Sequence, residues 1–194
     1  MDEARDVLEF WFGAPDDPQH GLPRAAWYRK DADFDASIAR RFGPLIERGL
    51  AGALAPWGDG DNVEMALAEV LVLDQFTRNT LRGSARAFAG DARALAVAQA
   101  LVSRGADRAL TGVQRQFVYM PFEHAEDLAH QHTALRLFQQ LQVDAPEVGQ
   151  LATWAQKHLD VIARFGRFPH RNAALGRASS VQEVEFLAQP GSSF

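Results

Sequence analysis

Apolar residues recur at three- and four-residue intervals through most of this chain, the period of a helix, while runs that alternate β-branched and polar residues are missing. That property restricts the fold class to all-α. The spacing predicts helices over 3–12, 34–49, 62–82, 90–104, 112–140 with a disturbance at Pro121, 145–165 and 180–188. The stretches "GAPDDPQHGLP" and "APWGDGDN" separate the first three, since Pro, Gly and Asp favour turns over helix interiors. Ser180 followed by Glu183 has the spacing of a capping box at the start of the last helix, and "PGSSF" ends it. Seven helices with short connections predict a bundle or short superhelix of antiparallel helix pairs. A length of 194 residues with 47% hydrophobic content suits one domain over 1–194.

Placing side chains at 100° per residue shows which polar groups share a face with the leucines. In 62–82, Asp74 and Arg78 lie on the stripe of Leu67, Val70, Leu71 and Leu81, with Gln75 and Arg82 at its edge. After Pro121, His124, Asp127 and Gln131 align with Leu128, Leu135 and Phe138, and Glu123, Glu126 and His130 fall on roughly the opposite side. In 145–165, His158 stands among Leu151, Trp154, Ile162 and Phe165. A buried polar group without a partner costs about 1–3 kcal/mol. Polar residues on the core faces of three helices are therefore expected to meet one another or a ligand. The segment "RFGRFPHRNAALGR", 164–177, extends the third of these helices with four arginines, a histidine and an asparagine. On a bland reading those arginines only staple helix ends, Gly166 stopping the helix and Phe165 and Phe168 packing downward.

Charge narrows the function classes. The chain has 25 Asp and Glu against 20 Lys and Arg, net −5, which argues against nucleic acid as a partner. It has no cysteine, hence no thiol nucleophile, disulfide or zinc-thiolate site. "MDEARDVLEFWF" lacks the basic start of a secretory signal, and no run of about 18 apolar residues occurs, so the expected location is cytoplasmic with no membrane partner. Phe10, Trp11 and Phe12 leave little of the first helix polar, so it is expected to dock into the fold or against a second copy in a homodimer. Trp27, Tyr28 and Trp57 sit near loops.

The stretches "FWFG" (10–13), "LDQFTRN" (73–79), "MPFEHAEDLAHQ" (120–131), "RFGRFPHRNAALGR" and "FLAQPGSSF" resemble the bacterial domain-of-unknown-function 924 family over nearly the whole chain. The resemblance implies a tetratricopeptide-repeat-like helical fold without consensus repeats. It also implies candidate ligand-binding positions at Asp74, Gln75, Arg78, Asn79, His124, Glu126, Asp127, Gln131, His158, Arg167, His170, Arg171, Asn172 and Arg177. Glu126 is the exception to the helical arithmetic. Either the helix is distorted after Pro121, or Glu126 pairs with another segment, such as an arginine of 164–177.

Three chemistries compete for this cluster. Arg78, Arg82, Arg167 and Arg171 with His124, His158 and His170 outnumber Asp74 and Asp127, a positive surplus suited to a small anionic molecule or a peptide carboxylate. An enzyme would use His124 with Asp127 or Glu126 as acid and base, but no P-loop, nucleophile elbow or dinucleotide glycine pattern accompanies them. No cofactor is expected. The metal alternative rests on His124, Asp127, His158 and His170. It is weak, because Asp127 and His130 of "DLAH" do not share a face and "HAEDLAH" is not HExxH.

Overall fold

The computed structural model describes residues 2–192, and every regular element among the described residues is helical. Helix α1 (Asp2–Phe12) carries Asp2 and Glu3 in its first turn, where they complement the helix dipole, and buries Ala4, Val7 and Trp11. Helix α2 (Ala32–Leu50) begins at Asp31, whose side chain accepts from the amides of Asp33 and Phe34. The one-turn α3 (Ala55–Gly58) leads to a rod made of α4 (Val63–Val70), a π-helical stretch (Leu71–Phe76) and α5 (Thr77–Thr80). Every residue of the π-helical stretch is buried, and α2, α4 and α6 (Asp91–Ser103) pack against it.

Helices α7 (Gly112–Glu123), α8 (Leu128–Asp144) and α9 (Leu151–Phe165) pack in chain order, each on the next. Their short connections turn the chain back, which makes successive helices antiparallel neighbours. Gly166, at φ +68°, ends α9 in the left-handed conformation that a side chain would disfavour. A 3₁₀ turn (Pro169–Arg171) follows, and α10 (Val181–Leu187) starts at the expected Ser180–Glu183 capping box. The main core runs from Val7 and Trp11 through Leu67, Leu71 and Phe76 to Phe117 and Phe138, while Val161, Ile162 and Phe168 form a smaller core beneath the C-terminal segment. Trp11 stacks on Trp27 with ring centroids 5.9 Å apart, so α1 docks into its own fold. No helix among the described residues is long and apolar enough to cross a membrane.

Two departures from the sequence expectation matter for the site. The predicted 112–140 helix is two helices, and Pro121 lies inside α7 instead of marking the break. The break is made by Asp127, which accepts from the amide of His130 as the N-cap of α8, and by Gln131, whose amide donates to the carbonyls of Glu123 and Ala125 at the end of α7. The predicted 145–165 helix starts six residues later, after a 3₁₀ turn (Pro146–Val148) and Gly149 at φ +75°.

Candidate functional site

The π-helical stretch sets the centre of the site. Widened turns of this kind are rare and occur often at functional positions. Here the wide turn holds Asp74 and Gln75 side by side in the interior, Asp74 fully buried. Asp74 Oδ1 faces His124 Nδ1 at 2.7 Å and Arg78 Nη1 at 3.0 Å, and Oδ2 accepts from the Gln75 amide at 2.6 Å. Burial alone would raise the Asp74 pKa, but Arg78 and then His124 outweigh it and hold the carboxyl well below the usual range. Burial, reinforced by Arg78, lowers the pKa of His124 against the pull of Asp74. The pair is thus a carboxylate accepting Nδ1–H from a neutral imidazole, which leaves Nε2 as an acceptor.

Arg78 links this pair to the C-terminal segment. Its guanidinium makes a two-pronged pair with Asp91 at 2.8 and 2.9 Å, and Asp91 Oδ2 also accepts from Arg171 Nη1 at 3.2 Å. Arg171 is almost fully buried, its guanidinium carbon 4.7 Å from the Phe88 ring centroid and 4.6 Å from that of Phe168. Its Nε is buried with no hydrogen-bond partner among the described residues. Burial, then the adjacent Arg78, bring the Arg171 pKa down to about 10, although Asp91 opposes them. Burial and the cations around it, Arg171 foremost, take His170 down to about 3.

A second carboxylate–imidazole pair adjoins the first. His158 Nδ1 lies 2.8 Å from Glu123 Oε1 and 2.9 Å from the Trp154 carbonyl oxygen, and the His124 and His158 ring centroids are 6.3 Å apart. On the far side, Glu126 accepts from the Phe168 amide at 2.7 Å and from Arg177 at 2.6 and 2.8 Å. Its own burial is outweighed by Arg177 and the Phe168 amide, and its pKa is lowered. Both alternatives for Glu126 therefore hold: α7 ends before it, and it pairs with an arginine of 164–177.

Asp74, Gln75, Arg78, His124, His158, His170 and Arg171 form one knot, with Glu126 and Arg177 at its edge. Five expected positions lie outside it. Asp127 is exposed and caps α8, because the helix break removes it from the face that a continuous helix would give it. Asn79 donates to Asp35 at 2.6 Å, as does Arg82, on the side facing α2. Arg167 pairs with Glu183 at 2.7 Å, and Asn172 joins Ser179 and Arg177. Gln131 is buried but serves the end of α7. His124 takes Asp74 as its carboxylate, not Asp127 or Glu126.

Asp91 and Glu123 are the acids that sequence reasoning missed. Asp91 opens α6 directly after Gly90, where a Cβ would overlap the Leu73 carbonyl, and this close approach delivers Asp91 to Arg78. Gly90 before an acidic first turn was the available signal. With Asp91 and Glu123 counted, the expected positive surplus disappears: Arg78, Arg171 and Arg177 face Asp74, Asp91, Glu123 and Glu126. Arg82 and Arg167, counted in that surplus, pair elsewhere.

No group of three or more His, Asp or Glu side chains among the described residues is arranged to hold a metal ion. Two surface grooves, one between α8 and α9 beside Gln139 and Thr153, the other between α1 and α2 beside Arg41, contain none of the knot residues. The knot meets solvent at a rim where the side chains of His124, Arg78 and Asp91 are 17%, 18% and 21% exposed.

The model of a bacterial protein family of unknown function, DUF924, matches residues 7–191. A solved structure of a protein of unknown function from Agrobacterium tumefaciens is 37% identical, with a TM-score of 0.80, and the match covers 96% of this chain and 97% of that one. No curated protein matches. A family match that runs from α1 to beyond α10 takes in every element that builds the knot, and the chain belongs to the DUF924 family of bacterial proteins.

Proposed function

We propose that this protein is a binding module that takes a small anion, a carboxylate or a phosphate, at the rim of the polar knot. The observation that carries the reading is Arg171. A guanidinium held between two aromatic rings, with Nε unpartnered, offers a fixed donor to a ligand oxygen, and an unsatisfied buried donor costs about 1–3 kcal/mol that such an oxygen would recover. Arg78 and His124 stand beside it at the partly exposed rim.

A second reading, a scaffold whose knot is purely structural, is favoured by a different observation. Arg78, Arg167 and Arg177 each make two-pronged pairs with protein carboxylates, as staples would. The pairwise packing of α7, α8 and α9 also suits the repeat-like helical scaffold that the family resemblance implies.

Thermal melts separate the two. Acetate and sulfate, titrated separately, are expected to raise the melting temperature of the wild type in a saturable way, by about 2.7 kcal/mol of added stability at a hundredfold excess over Kd. Arg171→Met should melt without responding to either. Unresponsive wild-type protein would leave only the scaffold reading.

A further inference from the structure

The charge arrangement of the knot bears on how an anion could enter it. Three guanidiniums already face four carboxylates, so the knot carries no net positive charge while its imidazoles are neutral. The imidazole at the rim is also set against an anion. His124 Nδ1 is committed to Asp74 at 2.7 Å, so the neutral ring presents the lone pair of Nε2. A lone pair repels a carboxylate or phosphate oxygen, whereas an Nε2–H donates to it. We propose that the site takes up its anion together with one proton, and that this proton resides on His124 Nε2. The inference rests on the binding reading above and specifies its regulation.

The surroundings of His124 make it the carrier. Asp74 from the π-helical stretch is in contact and stabilises an imidazolium. Arg78 from α5 opposes one until an anion arrives to screen it. From its own helix, Glu123 favours the charge but is bonded to His158, which faces His124 from α9. From the 3₁₀ turn come Arg171 and His170, the latter held far below the usual imidazole range by burial and then by Arg171. Asp91 of α6 is occupied by Arg78 and Arg171, and Glu126 by Arg177. His124 is thus the imidazole that combines a direct carboxylate, an exposed edge and the arginines that would receive the anion. The proton comes from solvent and returns there when the anion leaves, so no bond other than N–H is made or broken.

Linkage fixes the readout. If one proton accompanies each anion and His124 is neutral in the free protein, affinity falls roughly tenfold for each unit rise in pH. Acetate and sulfate carry no proton of their own near neutral pH, so any slope belongs to the protein. Their Kd values would be taken from thermal-shift titrations of the full chain at pH 6.5, 7.5 and 8.5. The expected result is a tenfold weakening per unit in the wild type and a flat profile in His124→Gln, whose amide donates at every pH. Binding with a flat profile in the wild type overturns the inference and leaves the binding reading standing. A tenfold slope that persists in His124→Gln removes the proton from His124 and also overturns it. If neither anion binds at any of the three pH values, the binding reading falls and this inference falls with it.

Discussion

Two buried polar clusters of this protein differ in a way that separates structure from site. Around Tyr119 in α7, the phenol donates to Asp107 and accepts from Arg115 Nε at 3.0 Å, while Arg115 reaches Asp144 at 2.9 Å. That cluster contains no histidine, and neither the phenol nor the Arg115 guanidinium is left with an unpartnered buried nitrogen or oxygen. Burial, supported by the bond to Asp107, pushes the Tyr119 hydroxyl up to about 12, so it stays a donor throughout the physiological range. The knot around Asp74 has the same raw materials but adds three imidazoles, two arginines that share Asp91, and a buried guanidinium nitrogen without a partner. A closed cluster suits a staple. An open one, held together by more pairs than it needs yet missing one, suits a ligand.

The comparison breaks most sharply at Arg78. Arg78→Ala leaves Asp74 and Asp91 without their main counter-charge in the interior, and breaking a buried pair from one side costs about 3–5 kcal/mol. Urea unfolding should show that loss, and a cost below about 1 kcal/mol would mean that the knot does not hold α5, α6 and the C-terminal segment together. Tyr119→Phe is the matching test of the closed cluster. It removes the phenol's bonds to Asp107 and Arg115 Nε and leaves those two only the 3.9 Å ion pair between them, with an expected cost of about 1–3 kcal/mol and no change in the response to acetate or sulfate. A changed anion response in Tyr119→Phe would erase the distinction between the two regions.

Acid should act on the knot before it acts on the Tyr119 cluster. His124 and His170 have folded pKa values below their unfolded ones, the latter about 3, so the unfolded state binds more protons between roughly pH 6.5 and 3. Stability is then fully present above about pH 6.5 and declines as pH falls towards the folded values. The carboxylates Asp74 and Glu126, also depressed, contribute their loss only below the ordinary carboxylate range, so the first part of the decline belongs to the histidines. Between pH 7 and 5 the expected loss by urea unfolding is about 2 kcal/mol from His170 alone, to which His124 adds. His170→Asn should flatten part of it. An undiminished slope in that variant would place the titration elsewhere.

The parts of this picture legible in the sequence are those that depend only on periodicity. Asp74, Arg78, His124 and His158 fall on apolar stripes and are inside. Ser180 sits where a cap belongs, with Glu183 three positions on to make the reciprocal box. What escaped depends on departures from an ideal helix. A break at 124–127 turned Asp127 from a core position into a cap and let Glu123 and Glu126, nominally on the outer face, reach His158 and Arg177. Asp91 escaped because its role is set by the contact of α6 with another element, through Gly90 against Leu73, and not by its own helix face. The π-helical stretch was equally invisible, since "LVLDQF" has the composition of an ordinary buried helix.

The finest test exchanges the arginines at matched places in the two regions. In Arg115→Met, Tyr119 loses a donor and Asp144 its buried-side partner, so the cost should resemble that of other broken staples, about 1–3 kcal/mol. In Arg171→Met, Asp91 keeps both bonds from Arg78, and the variant sheds an under-paired cation whose burial already lowers its pKa. Methionine also suits the gap between Phe88 and Phe168, because its thioether packs favourably against ring edges. Stability should therefore stay within about 1 kcal/mol of wild type, since an under-paired buried charge gives little net stabilisation and its apolar replacement is often neutral. A residue that contributes so little to the fold and yet is required for the anion response is held in place for the ligand. Should Arg171→Met instead lose as much stability as Arg78→Ala, Arg171 is a staple like Arg115, and the two clusters differ in composition only.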